Sequence, residues 1–538
     1  MDEQHMIQVN QVGYVKKSIK VAISTVPGPF QVRDRKTNLV VLERTSSGPI
    51  EDQDSNQTIY QLDFTEMEAE GTYQLSQSGV ASPAFTIGTN VYQPLHKGLT
   101  KAFYYFRCGM DLTEQYAGKW AHKACHLQEG TVYHDPSRRL DSSGGWHDAG
   151  DYGKYTVAAA KALADLLLAC QYYPGAFQYK AGIPESEQQM PDILNECQYE
   201  LDWLLKMQDK ETGGVFHKLT TKNFPGLAVM PEEDQAELYF SPVSATATAT
   251  FAAIMAVASR VYKEVDEDHA EKYLEAAHDA WNWLEQHPVF AGFKNPSEIT
   301  TGEYGDKEDR DERYWAAAEL YCTTKEAKYH RKFCELAGEN FDKISLGWAD
   351  VGGYGTRTYL SLPSEMTDPA IYQELKSVWM EKAEQLVDNS KENGYVISLK
   401  TADYIWGSNM VLLNQAMFLL MTNRLAPDKK YERYALEHLH YLLGRNATNY
   451  SYVTGFGENA VRNIHHRPSA ADNVEEPVPG LVSGGPDRGL HDPCAAEKLQ
   501  GCPPAKCFID HQESYATNEV TIYWNSPAVF VVSHWVGK

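Results

Sequence analysis

The stretch that decides the fold is KYTVAAAKALADLLLACQYY, residues 154–173. Its apolar residues recur at intervals of three and four without a proline or glycine, which predicts a helix. Further helical patterns lie at residues 190–209, 244–263, 272–287, 311–324, 406–425 and 431–446. With weaker patterns there are roughly a dozen helices, and six antiparallel pairs can close into an (α/α)6 barrel. We therefore predict a mainly α protein with this barrel over residues 92–538.

The region ahead of the barrel has a different pattern. Residues 5–88 alternate short β-type runs, such as KVAIST and LVVLER, with turn residues. Six or seven strands at this spacing predict a small immunoglobulin-like β-sandwich. The long segment from Asn446 to Asn518 shows no helical pattern and is rich in Gly, Pro, His and Asp, which favours a functional loop.

Composition limits the classes of partner. The 538 residues carry 49 Lys and Arg against 73 Asp and Glu, a net charge of −24. Such a charge repels polyphosphates and anionic lipids, so we expect neither nucleic acid nor membrane as a partner. The 33 Tyr and 11 Trp offer rings that can stack on sugars. Nine scattered cysteines and the lack of a basic and then apolar N-terminal run predict a cytoplasmic location.

Carboxylates stand out at two places. In GGWHDAGDYGKY, residues 144–155, Asp148 and Asp151 are three apart just before the first helix. They could hold a water as a general base, or one could cap the helix while the other is solvated. In FIDHQESYATNEVTIYWNSPAVFVVSHW, residues 508–535, Glu519 precedes an apolar helix, where burial would raise its pKa into the range of a general acid.

Two groups of residues could bind metals. Two thiols and two imidazoles suit tetrahedral Zn²⁺, although their spacing is not that of a zinc finger and His122 and His134 are alternatives. These four residues are Cys108, Cys125, His126 and His147. The acidic stretch TTGEYGDKEDRDERYWAAAEL ends in Asp311 and Glu312 at a helix start, where the two charges could equally complement the helix dipole.

Three separated motifs resemble those of glycoside hydrolase family 9. They are GGWHDAGDYGKY, SYVTGFGENAVRNIHHR and FIDHQESYATNEVTIYWNS. The region before residue 90 is similar to the immunoglobulin-like module of one branch of that family, so the resemblance covers nearly the whole chain. It implies an inverting β-glycanase on an (α/α)6 barrel, with Asp151 as general base, Asp148 orienting the water and Glu519 as general acid.

The resemblance also implies supporting residues. His465 and Arg467 match a His-x-Arg that binds the sugar beside the cleaved bond, and Asp510 would hold Arg467 or His465. Trp406 and Tyr515 are either stacking platforms or barrel-packing residues.

The same resemblance implies two structural metals. Zinc would be held by the cysteine and histidine set and would pin the loop that carries Asp148 and Asp151. Calcium would be held by Asp311, Glu312 and an Asp after the next helix, Asp350, while the contributions of Thr301, Gly302 and Asp306 stay open.

We predict a monomeric inverting endo-β-1,4-glucanase acting on cellulose-like, mixed-linkage or oligosaccharide β-glucans. An exo-acting β-glucosidase or β-glucosaminidase is the alternative, if the loop from Ala470 to Pro504 closes one end of the cleft. A non-catalytic glycan-binding protein is disfavoured, because acid and base are both present. Cys494, Cys502 and Cys507 could be free thiols, form one disulfide or bind a second metal.

Overall fold

Residues 5–537 are described in a computed structural model. They divide into two compact units, the first drawn from residues 1–102 and 383–538 and the second from residues 103–382. The α-helices are α1 Gln93–Tyr105, α2 Glu114–Ala117, α3 Thr156–Tyr172, α4 Asp192–Met207, α5 Ala245–Tyr262, α6 Glu267–Gln286, α7 Arg310–Thr324, α8 Ala327–Ala337, α9 Gly352–Leu360, α10 Pro369–Glu392, α11 Ser408–Leu425, α12 Lys429–Leu442, α13 Arg467–Ala471, α14 Pro493–Lys498, α15 Tyr515–Asn518 and α16 Ile522–Ser533. The strands are β1 Ile7–Gln8, β2 Gly13–Val15, β3 Val21–Ser24, β4 Pro29–Asp34, β5 Val40–Thr45, β6 Ser47–Asp52, β7 Gln57–Asp63, β8 Gly71–Gln77, β9 Val80–Ala81, β10 Phe85–Gly88, β11 Gly130–Val132, β12 Asp135–Leu140, β13 Lys154–Tyr155, β14 Lys218–Thr220 and β15 Tyr239–Phe240.

The first ten strands form two sheets. Their orders are β1-β3-β7-β6 and β2-β10-β8-β4-β5, with β9 on β8. Alternate side chains of both sheets point into one apolar core, where the rings of Tyr14, Phe64 and Phe85 meet edge to face or tilted. The predicted strands are all present, and β6 is an addition that sequence missed because Gly48, Pro49 and charged residues interrupt its pattern.

The sandwich packs against α12 and the loop after it within the first unit. The Gln11 backbone N–H donates to the Leu443 carbonyl at 2.9 Å, and the Asn10 amide lies 2.9 Å from Nδ1 of His440. The Tyr14 and His440 rings are 4.7 Å apart. The sandwich therefore braces this part of the helical region.

Buried and one-sided helices alternate along the second unit. Nearly every residue of α3, α5, α7 and α9 is buried, whereas α4, α6 and α8 bury one face. α5 packs on α3, α6 and α7, and α7 packs on α8 and α9. In the first unit every residue of α16 is buried, and α16 packs on α11.

A five-stranded sheet in the second unit was not predicted. Its order is β12-β11-β15-β14-β13, and each strand has only two to six residues. Runs this short carry no readable period, so sequence offered no signal.

All seven helices predicted from the sequence are confirmed within a few residues. The segment 446–518 is not free of helices, because it holds the short helices α13, α14 and α15. No helix among the described residues is long and apolar enough to cross a membrane.

Candidate active site

The loop of residues 141–153 joins β12 to β13 and carries both predicted aspartates. The His147 N–H donates to the Phe106 carbonyl at 2.7 Å, and the Cys108 N–H donates to the Gly145 carbonyl at 2.7 Å. The ammonium of Lys154 donates to the carbonyls of Ser142 and Gly144, each at 2.7 Å. These bonds attach the first half of the loop to the segment just after α1 and to β13.

A buried ionic network lies under the same loop. The Arg107 guanidinium, fully buried, donates to both oxygens of Glu196 at 2.8 and 2.9 Å. The Trp146 indole donates to Glu196 Oε1 at 2.9 Å, and the Trp146 backbone N–H donates to Glu200. Because a half-broken buried ion pair costs several kcal/mol, this network holds the residue before the HDAGD motif in one position.

Asp148 and Asp151 are brought together by a tight turn. The Asp148 N–H donates to the Gly153 carbonyl at 2.9 Å, and the Gly153 N–H donates to Asp151 Oδ2 at 2.8 Å. A Cβ on Gly153 would lie 2.6 Å from the Tyr155 hydroxyl and 2.8 Å from Asp151 Oδ2, so only glycine fits there. The Tyr155 hydroxyl is 3.5 Å from the same Asp151 oxygen.

The environment of Asp148 is unusual for a carboxyl group. Burial raises the pKa of Asp148 well above its ordinary value, and the charge of Asp151 acts in the same direction. The Tyr304 hydroxyl donates to Asp148 Oδ2 and opposes the rise. Oδ1 has no partner among the described residues. A water could therefore be held between Oδ1 and the neighbouring carboxylate.

Tyr304 is a functional residue that sequence reasoning missed. Its ring packs between Tyr155, at a centroid distance of 4.6 Å, and Trp348, at 4.8 Å. A tyrosine in a Gly-rich acidic loop gives no signal of its own, and it lies 156 residues from the aspartate that it contacts.

Asp151 faces a small cleft of the second unit. The cleft is lined by His126, Asp151, Tyr152, Gly153, Thr220, Thr221, Phe224, Pro225, Asp234, Leu238 and Thr301. Phe224 leaves 44% of its surface exposed, and sequence did not single it out. Hydroxyl groups, an open ring and a carboxylate together suit a sugar.

The predicted acid lies in the first unit. Glu519 follows α15 in an extended conformation, pairs with His465 as an isolated β-bridge, and accepts the Gly484 N–H at its carbonyl at 2.9 Å. The apolar helix predicted after it is α16. Glu519 is half-buried, not buried as expected, because it lies in the short link ahead of that helix.

Asp510 has different partners from those expected. Its carboxylate accepts the backbone N–H groups of Arg462 at 2.9 Å and Asn463 at 2.8 Å, and the Asn518 amide at 2.8 Å. It holds neither Arg467 nor His465 directly. The carboxylate instead ties the loop before His465 to the residue before Glu519, which sequence could not show because all three donors depend on the fold.

His465 lies beside an aromatic pair. Its Nδ1 is 2.6 Å from the Gln512 carbonyl, which can only accept, so Nδ1 carries the proton. Burial lowers the pKa of His465. The Tyr515 ring is 5.8 Å from the His465 ring and 5.3 Å from Trp406, whose surface is 42% exposed. This exposure favours a platform on which a sugar ring can stack over a packing role for Trp406. Arg467 is the first residue of α13 and is buried.

The four predicted zinc ligands meet in the second unit. Cys108, Cys125, His126 and His147 are all buried, and one ligand atom from each lies within 4.8 Å of the others. The two sulfurs are 4.0 Å apart, and Cys125 Sγ is 3.8 Å from His147 Nε2. Tetrahedral Zn²⁺ with ordinary bond lengths requires edges of about 3.4–3.8 Å, so the set fits after a small contraction.

A second observation supports a metal at this cluster. His126 Nε2 bonds Asp234 Oδ2 at 3.3 Å, while its buried Nδ1 has no partner among the described residues. A carboxylate behind a ligating histidine is the usual outer partner in zinc sites. Burial lowers the pKa of His147 to about 4, which keeps the ring neutral and able to ligate. The alternatives His122 and His134 are outside the cluster.

The predicted calcium ligands form a looser group. Both buried oxygens of Glu312 lack a hydrogen-bond donor among the described residues, and Asp311 Oδ2 accepts the Val351 N–H at 2.8 Å. Burial raises the pKa of Asp311 to about 6 and that of Glu312 well above its ordinary value, and the charge of Asp306 adds to both effects. Within residues 5–537, only the cysteine and histidine cluster brings three such ligand atoms within 4.8 Å.

Thr301 and Gly302 have a different partner from a metal. Their carbonyls accept hydrogen bonds from the ammonium of Lys218 at 3.2 and 2.6 Å.

Among the C-terminal cysteines, Cys507 Sγ bonds the Cys502 carbonyl at 3.4 Å and Cys494 Sγ lies 3.6 Å from His511. All three are free thiols, and no metal cluster of the described residues includes them.

The helical region, the β-sandwich and the buried aspartate pair fit a glycoside hydrolase, the class that the matching family shows. The sequence profile of glycosyl hydrolase family 9 matches residues 92–532, and that of a cellulase N-terminal Ig-like domain matches residues 2–82. The chain belongs to glycosyl hydrolase family 9, and the predicted (α/α)6 barrel with an Ig-like domain is confirmed.

Related proteins cover nearly the whole chain. A cellodextrinase of Butyrivibrio fibrisolvens is 40% identical, with 98% of this chain and 99% of the relative aligned. A single mutant of a thermostable endoglucanase from Alicyclobacillus acidocaldarius superposes with a TM-score of 0.94 at 40% identity, covering 98% of this chain and 99% of that one. AaCel9A in complex with cellobiose-like isofagomine has a TM-score of 0.93 at 41% identity and the same coverage.

Proposed function

We propose that this glycoside hydrolase is an inverting endo-β-1,4-glucanase that acts on cellulose-like, mixed-linkage or oligosaccharide β-glucans. The observation that carries the proposal is the paired aspartates: Asp148 is buried and bonded by Tyr304, while Asp151 lines a small pocket. The solved complex of AaCel9A with a cellobiose-like compound supports a β-glucan substrate.

In the proposed mechanism Asp151 removes a proton from the attacking water. Two neighbouring carboxylates raise each other's proton affinity, which brings the base nearer to the working pH. Asp148 accepts the Tyr304 hydroxyl at one oxygen and can orient the water with the other. The water then attacks the anomeric carbon from the face opposite the leaving group, which inverts the configuration.

Glu519 supplies the proton to the departing glycosidic oxygen. Inverting enzymes separate acid and base by about 6.5–9.5 Å so that a water fits between them. His465, Arg467, Trp406 and Tyr515 would bind the sugar through hydrogen bonds and ring stacking. Asp510 would position the two backbone segments that carry His465 and Glu519.

Two metals would act structurally. Cys108, Cys125, His126 and His147 would hold Zn²⁺, which would tie the active-site loop, through His147, to the segment that carries the other three ligands. Asp311, Glu312, Asp350 and Asp306 would hold Ca²⁺, since a buried carboxylate without donors is stabilised by a cation.

Exo action on short chains is the second candidate. It is favoured by the 40% identity with a cellodextrinase over 98% of this chain. The same acid and base serve both modes, so cleft shape decides between them. The monomeric state and the cytoplasmic location stay predictions.

The test is hydrolysis of cello-oligosaccharides, barley β-glucan and chitosan oligomers, with proton NMR of the first product anomer. We expect α-anomers from the β-linked glucans, a rapid fall in β-glucan viscosity and no action on chitosan. Asp151→Asn and Glu519→Gln should each lower kcat by at least about 10³-fold while the circular dichroism spectrum stays unchanged. A β-anomer as first product contradicts the mechanism, and release of single glucose units without a fall in viscosity favours the exo candidate.

A further inference from the structure

Lys218 is a buried lysine that lies in neither predicted metal site. It begins β14 and pairs with Tyr155 of β13, so its side chain starts next to the strand that follows Asp151. The ammonium lies 5.4 Å from the centre of the Tyr155 ring, whose hydroxyl is 3.5 Å from Asp151. Burying an ammonium is costly unless all its donors are satisfied, so its partners are informative.

All three donors of the Lys218 ammonium go to one loop. They reach the Thr301 carbonyl at 3.2 Å, the Thr301 hydroxyl at 3.0 Å and the Gly302 carbonyl at 2.6 Å. A lysine has three N–H donors and no acceptor, so this set is complete. The ammonium thus binds the oxygens of the loop as a small cation would.

His217, the residue before Lys218, contacts the same loop at Tyr304, two residues after Gly302. Its Nε2 lies 3.0 Å from the Tyr304 carbonyl, and its ring stacks on Phe293 at a centroid distance of 3.6 Å. Burial lowers the pKa of His217 to about 3, so the ring is neutral and donates from Nε2. The ends of the loop are paired as well, since the Phe293 N–H donates to the Asp306 carbonyl at 3.1 Å.

Tyr304 needs this support because its backbone is strained. Its φ of +47° lies in the left-handed region, which a residue with a side chain occupies only when its surroundings hold it there. The hydroxyl at the end of this side chain bonds Asp148. The conformation of the loop therefore decides whether that bond forms.

We propose that Lys218 is a positioning residue for hydrolysis: it holds the Thr301–Tyr304 loop so that the Tyr304 hydroxyl stays on Asp148. The inference rests on the proposed function, since it assumes that Asp148 and Asp151 take part in hydrolysis. The carboxylates of Asp151 and Glu303 favour the charged form of the ammonium, against the effect of burial, which lowers the pKa of Lys218 to about 7.

The test is a double-mutant cycle with Lys218→Met and Tyr304→Phe on a soluble cello-oligosaccharide. If Lys218 acts through Tyr304, each single variant lowers kcat by about tenfold with KM within about twofold, and the double variant is no slower than Tyr304→Phe alone. Losses in kcat that multiply in the double variant overturn the inference.

A matched control comes from the β-sandwich. Lys20 is also fully buried and its ammonium donates to the carbonyls of Ser18 at 2.9 Å and Thr65 at 3.1 Å. Lys20→Met should lower thermal stability without moving kcat. Should Lys218→Met fail to fold, Lys218→Gln, which keeps an amide donor, replaces it in the cycle. Asp151→Asn assayed alongside separates the outcomes: full activity in that variant refutes the proposed function, whereas an inactive Asp151→Asn with a multiplicative cycle refutes only the role of Lys218.

Discussion

At the scale of single residues, two aspartates three positions apart have different surroundings. Asp148 is 1% exposed and bonded by a tyrosine, whereas Asp151 lines a cleft and accepts a backbone N–H. Environments that differ in this way push neighbouring carboxyl groups toward different roles, and we propose that these are the orientation of water by Asp148 and the removal of its proton by Asp151.

Tyr304→Phe tests this division. Loss of a hydrogen bond to a charged group should lower kcat by about 10- to 100-fold. The bond lowers the pKa of Asp148, so without it the pKa rises further, and the acid limb of kcat/KM should shift to higher pH. The matched control is Tyr273→Phe, because the buried Tyr273 hydroxyl has no partner among the described residues. An unchanged acid limb in Tyr304→Phe would contradict the assigned contact.

At the scale of elements, the active-site loop is fixed from several sides. The segment just after α1 supplies Arg107 and Cys108, α4 supplies Glu196 and Glu200, and β13 supplies Lys154. The predicted zinc ligands come from the same surroundings, since His147 is adjacent to Asp148. A metal there would join the segment of residues 106–126 to the loop at the point where the base is carried.

Cys108→Ser should remove this metal. We expect about one zinc per chain in the purified protein by plasma mass spectrometry, and a loss of most of it in the variant, since serine is a poor zinc ligand. Cys197→Ser is the control, because Cys197 is equally buried but lies outside the cluster. Full zinc occupancy in Cys108→Ser would show that this sulfur is not a ligand.

At the scale of the whole molecule, stability should depend on calcium. Glu312 buries both oxygens without a donor, a cost that a bound cation would remove. Burial raises the pKa of Asp311 to about 6 and that of Glu312 well above its ordinary value. Without metal, the folded protein therefore loses stability as the pH rises through about 6 and above, because these buried carboxyl groups then ionise.

A calcium concentration of 100 times the dissociation constant at pH 8 should therefore stabilise the fold by about 2.7 kcal/mol. The same concentration should stabilise the fold less at pH 5, because the ligands must be ionised to bind. Differential scanning calorimetry with calcium and with EDTA measures this. Glu312→Gln should abolish the calcium response while keeping or raising the metal-free Tm. Glu275, an exposed acidic residue of α6, provides the control as Glu275→Gln. A calcium response that survives in Glu312→Gln would exclude this carboxylate as a ligand.

The sequence by itself determined the long helices and most strands of the β-sandwich, and it singled out the residues that we propose for the chemistry. Helical periodicity and the three motifs are local, so α3, α16 and the residues Asp148, Asp151 and Glu519 could be identified without a structure. The gathering of Cys108, Cys125, His126 and His147 was expected from family resemblance, not from their spacing.

Only the tertiary structure decided what these residues touch. The bond from Tyr304 to Asp148, the true partners of Asp510 and the Lys218 contacts each join residues that are between 8 and 156 positions apart. The five-stranded sheet beside Asp151 likewise consists of strands too short to show a period. Such contacts depend on how buried surfaces pack and on which buried donors need a partner in place of water. Both depend on several distant segments at once, so the local sequence of one segment does not predict them.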